Sequence, residues 1–256
     1  MFSVQTAHAA SEGIHVALAP YIVGHIFGIP ISAPLLTTWL TMALLIIGAF
    51  FVGRSLKMVP GKVQNGVELV VGGVYDYVVS VLESKELART YFPVIMTIFI
   101  FVLALNWIGL LPGVTSIGYY GEHGHGLIPF FYPPATDLNI SIGFAIVAFF
   151  TIELAGILGI GIMKYGKKFI NFSSPLKFLI GIIELISELA RLVSFSFRLF
   201  GNIFAGKILL LVVIFFLPYI VPVPLIGFEI FVGFIQAFIF AILTLFFIKV
   251  AVTDEH

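Results

Sequence analysis

The sequence predicts an all-α membrane protein with about five membrane-crossing helices, one amphipathic interfacial helix, and a long, steeply tilted C-terminal helical hairpin. Three observations point there. Of the 256 residues, 60% are hydrophobic and only 10% are charged, and the mean hydropathy is +1.15. A soluble core of this size needs far less apolar surface. Apolar runs of about 20 residues or more, the length a bilayer requires, recur between breaks marked by Pro and Gly. The connecting segments are alternately rich in Lys and Arg and free of them, as in chains that cross a membrane repeatedly.

Composition also sets limits. The formal net charge is zero and there is no basic patch, which argues against a nucleic-acid partner. Cysteine is absent, which excludes disulfides and Cys-based metal sites. No cofactor and no metal are expected.

Met1–Ala33 contains no Lys or Arg. It lacks the basic start of a secretory signal and reads as a retained, extracytoplasmic N-terminal segment. The first span is 35–53, preceded by Pro34 and closed by Arg54. The segment 62–83 is different in kind. Val63, Val67, Val70, Val74, Val78 and Val81 recur at helical spacing, with Asn65, Glu68, Asp76 and Glu83 between them. That pattern predicts an amphipathic helix lying along the membrane surface.

The second span, 92–111, carries Asn106 near its end and stops at Pro112-Gly113. Val114–Thr136 reads as a loop. Its His123 and His125 have no third ligand beside them and make a poor metal site. The third span, 138–163, opens with Asp137 and Asn139, which suit an N-cap, and holds Glu153 at mid-depth. From Pro175 to Leu217 no interior proline interrupts the helical pattern. Such a helix is roughly 60 Å long, twice the ~30 Å hydrocarbon thickness, so it must tilt, bend or protrude. Pro218, Pro222 and Pro224 turn the chain into a last helix, 225–250. All of this forms one integral membrane domain. Lys and Arg cluster around Arg54–Lys62, Lys85–Arg89 and Lys164–Lys177, which places the N-terminus outside and the C-terminus in the cytoplasm.

The hairpin carries the chemistry. Glu184, Glu188, Arg191, Arg198 and Asn202 recur at spacings that form one stripe, with Ser187 and Ser194 beside it. Glu229, Gly233 and Gln236 repeat the device on the last helix. Polar stripes on membrane helices must face protein or water. Arg198 is the costliest member, because a guanidinium stays protonated and a charge at the bilayer centre costs upward of about 2.5 kcal/mol. Glutamates on either side of it can carry protons. Arginine cannot.

At these residues the chain resembles subunit a of bacterial-type F-type ATP synthases. Phe197–Gly206, FRLFGNIFAG, is close to that family's arginine motif, and Ile235–Leu243, IQAFIFAIL, is similar to its glutamine-containing last helix. VPGKVQNGVEL at Val59–Leu69, NWIGLLP at Asn106–Pro112 and PATDLN at Pro134–Asn139 add ordered matches.

The resemblance implies a non-catalytic, ion-translocating stator subunit in a bacterial plasma membrane. Two aqueous half-channels would carry protons to and from carboxylates on a ring of c subunits, coupling ion flow to ATP synthesis. The implied partners are that ring, the peripheral-stalk b subunits and membrane lipid. It also implies residue roles. Arg198 is the arginine that meets the ring carboxylate, with Gln236 near it and Asn202 at the motif asparagine. Glu184 and Ser187 match polar positions of the cytoplasmic half-channel, and Glu229 and Asn106 those of the outer one. Asp137 and Asn139 match the polar pair that opens a helix.

Some residues depart from the family pattern. Lys207 stands where the family usually has Glu or His, and Gly109 where some relatives carry an acid. The expectation is that Lys207 pairs with Glu229 and that Glu153 supplies the missing outer or mid-membrane acid.

The alternative reading is a secondary transporter with an intramembrane Arg substrate site, but the sequence lacks the paired repeats of that class. An intramembrane hydrolase would need a nucleophile–base pair or a metal motif. A plain scaffold leaves the two polar stripes unexplained.

Overall fold

The computed structural model describes residues 20–111, 113–120, 127–169 and 174–253. The first described elements were not anticipated: strands β1 (Ile22–Ile26) and β2 (Ile29–Ser32) form an antiparallel hairpin. Both residues of its turn, Phe27 and Gly28, have positive φ. That is the type I′ geometry whose twist matches the flanking strands. Ser32 then caps α1 (Ala33–Arg54), its Oγ accepting from the Leu35 N–H at 3.4 Å.

Helix α2 (Lys62–Leu82) buries Val78, Val81 and Leu82 and exposes Asn65, Glu68 and Asp76, the two-faced character its valine spacing predicts. Helix α3 (Lys85–Ile108) starts well before Phe92. Ser84 caps it by accepting from the Leu87 N–H, and Glu86 lies in the first turn, where a negative charge suits the helix dipole. Pro93 is tolerated inside this helix.

The Val114–Thr136 loop contains a second small hairpin, β3 (Gly118–Tyr120) with β4 (Leu127–Pro129). Glu122, His123 and His125 lie outside the described residues. Helix α4 (Leu138–Ile160) stops short of Met163 because Gly161 takes φ +86, a conformation that only glycine adopts readily. The break lets a short helix, α5 (Ile162–Phe169), pack back on α4 and α6. The hairpin is α6 (Pro175–Phe216) and α7 (Pro222–Val252).

Helix α7 is the hub, packed against α3, α4 and α6, while α4 also packs along α6. On α4 the buried line is Ser141, Ala145, Ala148, Ile152 and Ala155. Small residues at that spacing let helix backbones approach closely, as membrane helices do. Phe195 of α6 meets Phe240 of α7 with ring centroids 4.8 Å apart.

Outward faces are apolar: Leu44, Ile47 and Phe51 on α1, Val147, Phe150 and Leu154 on α4. Polar groups turn inward, including Asn106, Glu188, Glu229, Gln236 and Thr244. Six helices are long and apolar enough to cross a membrane, α2 being the least apolar of them. The chain is an all-α, multi-pass membrane protein.

Candidate functional site

The site is built along the α6–α7 hairpin and has a centre and two ends. At the centre, Arg198 donates from Nη2 to Ser194 Oγ, one turn earlier, at 3.3 Å. Its guanidinium carbon lies 5.7 Å from the centre of the Phe195 ring. Among the described residues no carboxylate forms an ion pair with Arg198. Its Nη1 is buried without a hydrogen-bond partner, and so are Asn202 Nδ2 and Gln236 Nε2. All three are donors on the polar stripes. An uncompensated buried donor is costly, so this set is suited to an acceptor brought from elsewhere.

One end of the site is reached where α3 meets α7. Asn106 Nδ2 donates to the Gly233 carbonyl at 2.9 Å, and Trp107 Nε1 donates to the Ile230 carbonyl at 3.1 Å. Two consecutive side chains thus fix the register of α3 against α7. Trp107 is a positioning group that sequence reasoning did not single out. Glu229, nine-tenths buried, lies against Gly206 of α6. A Cβ added at Gly206 would overlap the Glu229 carboxylate, so this close approach requires glycine. Gly109 has a similar reason, since a Cβ there would meet Pro133 Cβ at 2.8 Å.

Lys207 does not pair with Glu229. No ion pair joins them among the described residues. Instead the Lys207 ammonium sits 3.2 Å from the centre of the Tyr132 ring, a cation–π contact. Tyr132 packs edge-on to Tyr21 and donates its backbone N–H to Thr37 Oγ1 at 2.9 Å. Burial, with Tyr21 beside it, pushes the Tyr132 phenol up to about 12, so the ring under the ammonium stays neutral. Residues 75 positions apart in the chain make this contact, and no local pattern signals it.

Asp137 and Asn139 stand together. Asp137 Oδ1 accepts from the Asn139 N–H at 2.9 Å and from Asn139 Nδ2 at 3.0 Å, and Oδ2 accepts from Ser32 Oγ at 3.4 Å. Asp137 therefore caps α4. Both residues also line a cleft of about 710 Å³ among the first hairpin, α1, α3 and α4, with Leu35, Ile98 and Phe144.

The other end is an ion-pair cluster. Lys168 of α5 reaches Glu184 at 2.7 Å and Glu188 at 3.3 Å. Arg191 pairs with Glu188 through a short contact and lies 3.9 Å over the Phe247 ring. Burial alone would depress Lys168, but its hydrogen bond and ion pair with Glu184, and the charge of Glu188, raise it above the ordinary lysine value. Glu153 belongs here and not with Lys207 and Gly109. Its Oε2 accepts from the Tyr165 hydroxyl at 2.9 Å. Burial and the bond to Glu153 push the Tyr165 phenol upward. The expectation that Glu153 supplies the outer acid is thus overturned, because the break at Gly161 brings Tyr165 and Lys168 back to it. Ser187 stands apart, exposed on α6 and donating to the Ile183 carbonyl at 2.9 Å.

Comparison with known proteins agrees with this arrangement. The sequence profile of the family described as ATP synthase A chain matches residues 35–249. The chain is 37% identical over 221 residues to ATP synthase subunit a 3 of Pelobacter propionicus, covering 86% of this chain and 87% of that one. It is 35% identical over 231 residues to ATP synthase subunit a of Desulfosudis oleivorans, covering 88% and 90%. With ATP synthase subunit a of Geotalea daltonii the identity is 33% over 222 residues, covering 86% and 87%.

Proposed function

This chain belongs to the ATP synthase A chain family, and on that premise we propose that it is the non-catalytic stator subunit through which protons reach and leave a rotating ring of c subunits. Protons enter one aqueous half-channel, neutralise a ring carboxylate, travel with the ring and leave by the other half-channel. Arg198 lies between the two paths. Its fixed charge repels a free proton, and it draws the arriving ring carboxylate into its ionised form. Asn202 and Gln236 assist at the same level. Glu229 and Asn106, with Asp137, Asn139 and Lys207, line the outer route. Glu184 and Ser187 serve the cytoplasmic one, where Glu153 also belongs.

The chain would act as one integral membrane domain in a bacterial plasma membrane. Residues 1–33 lie outside and the C-terminus lies in the cytoplasm, as the positions of Lys and Arg favour. The b subunits of the peripheral stalk would hold it against rotation.

The observation that carries this reading is Arg198 itself. It is a cation in a membrane helix, without a carboxylate partner among the described residues, beside unpaired donors on Asn202 and Gln236. Its helix leaves a wide face uncovered, with Ser187, Ser194 and Ala205 exposed. A partner carboxylate has both a reason and room to come there. The test is Arg198→Ala in assembled complexes. ATP-driven proton pumping is expected to be abolished while subunit content stays near wild type. Normal pumping in such complexes would contradict the reading.

A further inference from the structure

The cluster at the Lys168 end does not balance electrically. It holds three carboxyl groups, Glu153, Glu184 and Glu188, against two cations, Lys168 and Arg191. The cations are committed: Lys168 contacts Glu184 and Glu188, and Arg191 contacts Glu188. Glu153 receives neither as an ion-pair partner. Its Oε2 has the Tyr165 hydroxyl, while its Oε1 is buried and has no partner. Glu188, itself 2% exposed, lies within charge and hydrogen-bond range of Glu153.

Two buried carboxylates side by side repel one another. One proton resolves both defects. A protonated Glu153 donates to Glu188, so the orphaned oxygen gains a partner. The cluster then has two negative and two positive charges. The groups that act on Glu153 come from two elements: Tyr165 and Lys168 of α5, and Glu188 of α6. Helix α7 contributes the apolar Phe247 beneath Arg191.

The local architecture is specific to this arrangement. Tyr165 reaches Glu153 by passing over Gly156, one turn further along α4, where a Cβ would overlap the phenol ring. Glu188 lies on the same α6 stripe as Arg198, about 15 Å along the helix by its rise per residue. The pair is therefore in line with the central arginine.

We propose that Glu153 carries an exchangeable proton shared with Glu188 and is a proton-transfer station at the Lys168 end of the chain. This rests on the reading that the chain conducts protons. The step is a simple transfer. The O–H bond of the Glu153 carboxyl breaks, and one forms on a Glu188 oxygen. Glu184 and Lys168, about one-third exposed, lead on to solvent.

The test uses intact complexes in liposomes, with ATP-driven pumping and passive proton conductance followed across a pH series. Glu153→Gln keeps the size and the neutral charge but holds no transferable acid proton. Pumping is expected to fall about tenfold, at the low side of what a positioned proton-transfer group contributes, and its pH profile should flatten. Glu153→Asp should recover most of the flux. Wild-type rate and profile in Glu153→Gln would overturn the proposal. Equal loss in the Gln and Asp variants would do so too, since that marks a packing role. Where Glu153→Gln does not assemble, Tyr165→Phe carries the test. A displaced conductance profile supports the station, and a superimposable one contradicts it. Failure of the wider reading looks different, because Arg198→Ala complexes would then pump normally whatever stands at 153.

Discussion

The two ends of the hairpin handle buried charge in opposite ways. At the Lys168 end, charges are gathered and neutralised by contact: Lys168, Arg191, Glu184 and Glu188 form one ion-pair network, with Glu153 attached through Tyr165. At the Tyr132 end they are kept apart. Glu229 rests against the backbone of Gly206, and Lys207 rests on an aromatic face. The rest of that region is held by neutral groups, Asn106 and Trp107, bonded to carbonyls of α7. A network resists change in any one member, because the others hold their geometry. Isolated groups depend on a single contact each. Substitutions at the Tyr132 end should therefore damage proton flux with little loss of stability, and those at the Lys168 end should do more to stability.

The largest effect that tests this contrast is expected at Gly206. Gly206→Ala places a methyl group in the space of the Glu229 carboxylate. Displacing a proton-bearing group by about 1 Å costs on the order of a hundredfold in rate. Pumping by assembled complexes should fall by that order while the thermal midpoint moves little. A large drop in midpoint at unchanged flux would erase the contrast.

Smaller for flux, but larger for stability, is Arg191→Ala. It removes one partner of a pair in which the Glu188 side chain is 3% exposed and that of Arg191 14%. Breaking such a pair costs about 3–5 kcal/mol, and the lower figure is expected because Lys168 still reaches Glu188. The unfolding midpoint of the purified complex should drop, with residual pumping retained. An unchanged midpoint would show that the network is not what holds this end.

The hairpin was legible in the sequence because its signals are local and long. Apolar runs, the prolines at 218, 222 and 224, and a polar stripe at helical spacing all lie within one segment. The α2 faces were legible for the same reason. The first β-hairpin was not. Its turn is Phe-Gly, with positive φ on a phenylalanine, where the common signal is Asn-Gly or Asp-Gly. The setting of Glu153 was also hidden. It depends on the break at Gly161, and a glycine in an apolar run does not announce which way the chain folds next. Lys207 looked like a partner for Glu229 because both fall on the same part of the hairpin. Its actual neighbour, Tyr132, comes from a loop with no sequence relation to it. Gly206 reads as part of a motif, while its reason is a contact with α7.

The central claim is that Arg198 is half of a site completed by a ring carboxylate. The chain has no cysteine, so an introduced one is unique. Ala205 is exposed and lies two turns beyond Arg198 on the same face of α6. The most direct measurement is disulfide formation, in assembled and active complexes, between Ala205→Cys and a cysteine placed next to the c-subunit carboxylate. Efficient cross-linking that stops rotation-coupled pumping, and is reversed by reduction, is the predicted result. Active complexes that form no such cross-link, while cysteines on the opposite face of α6 do, would contradict the account.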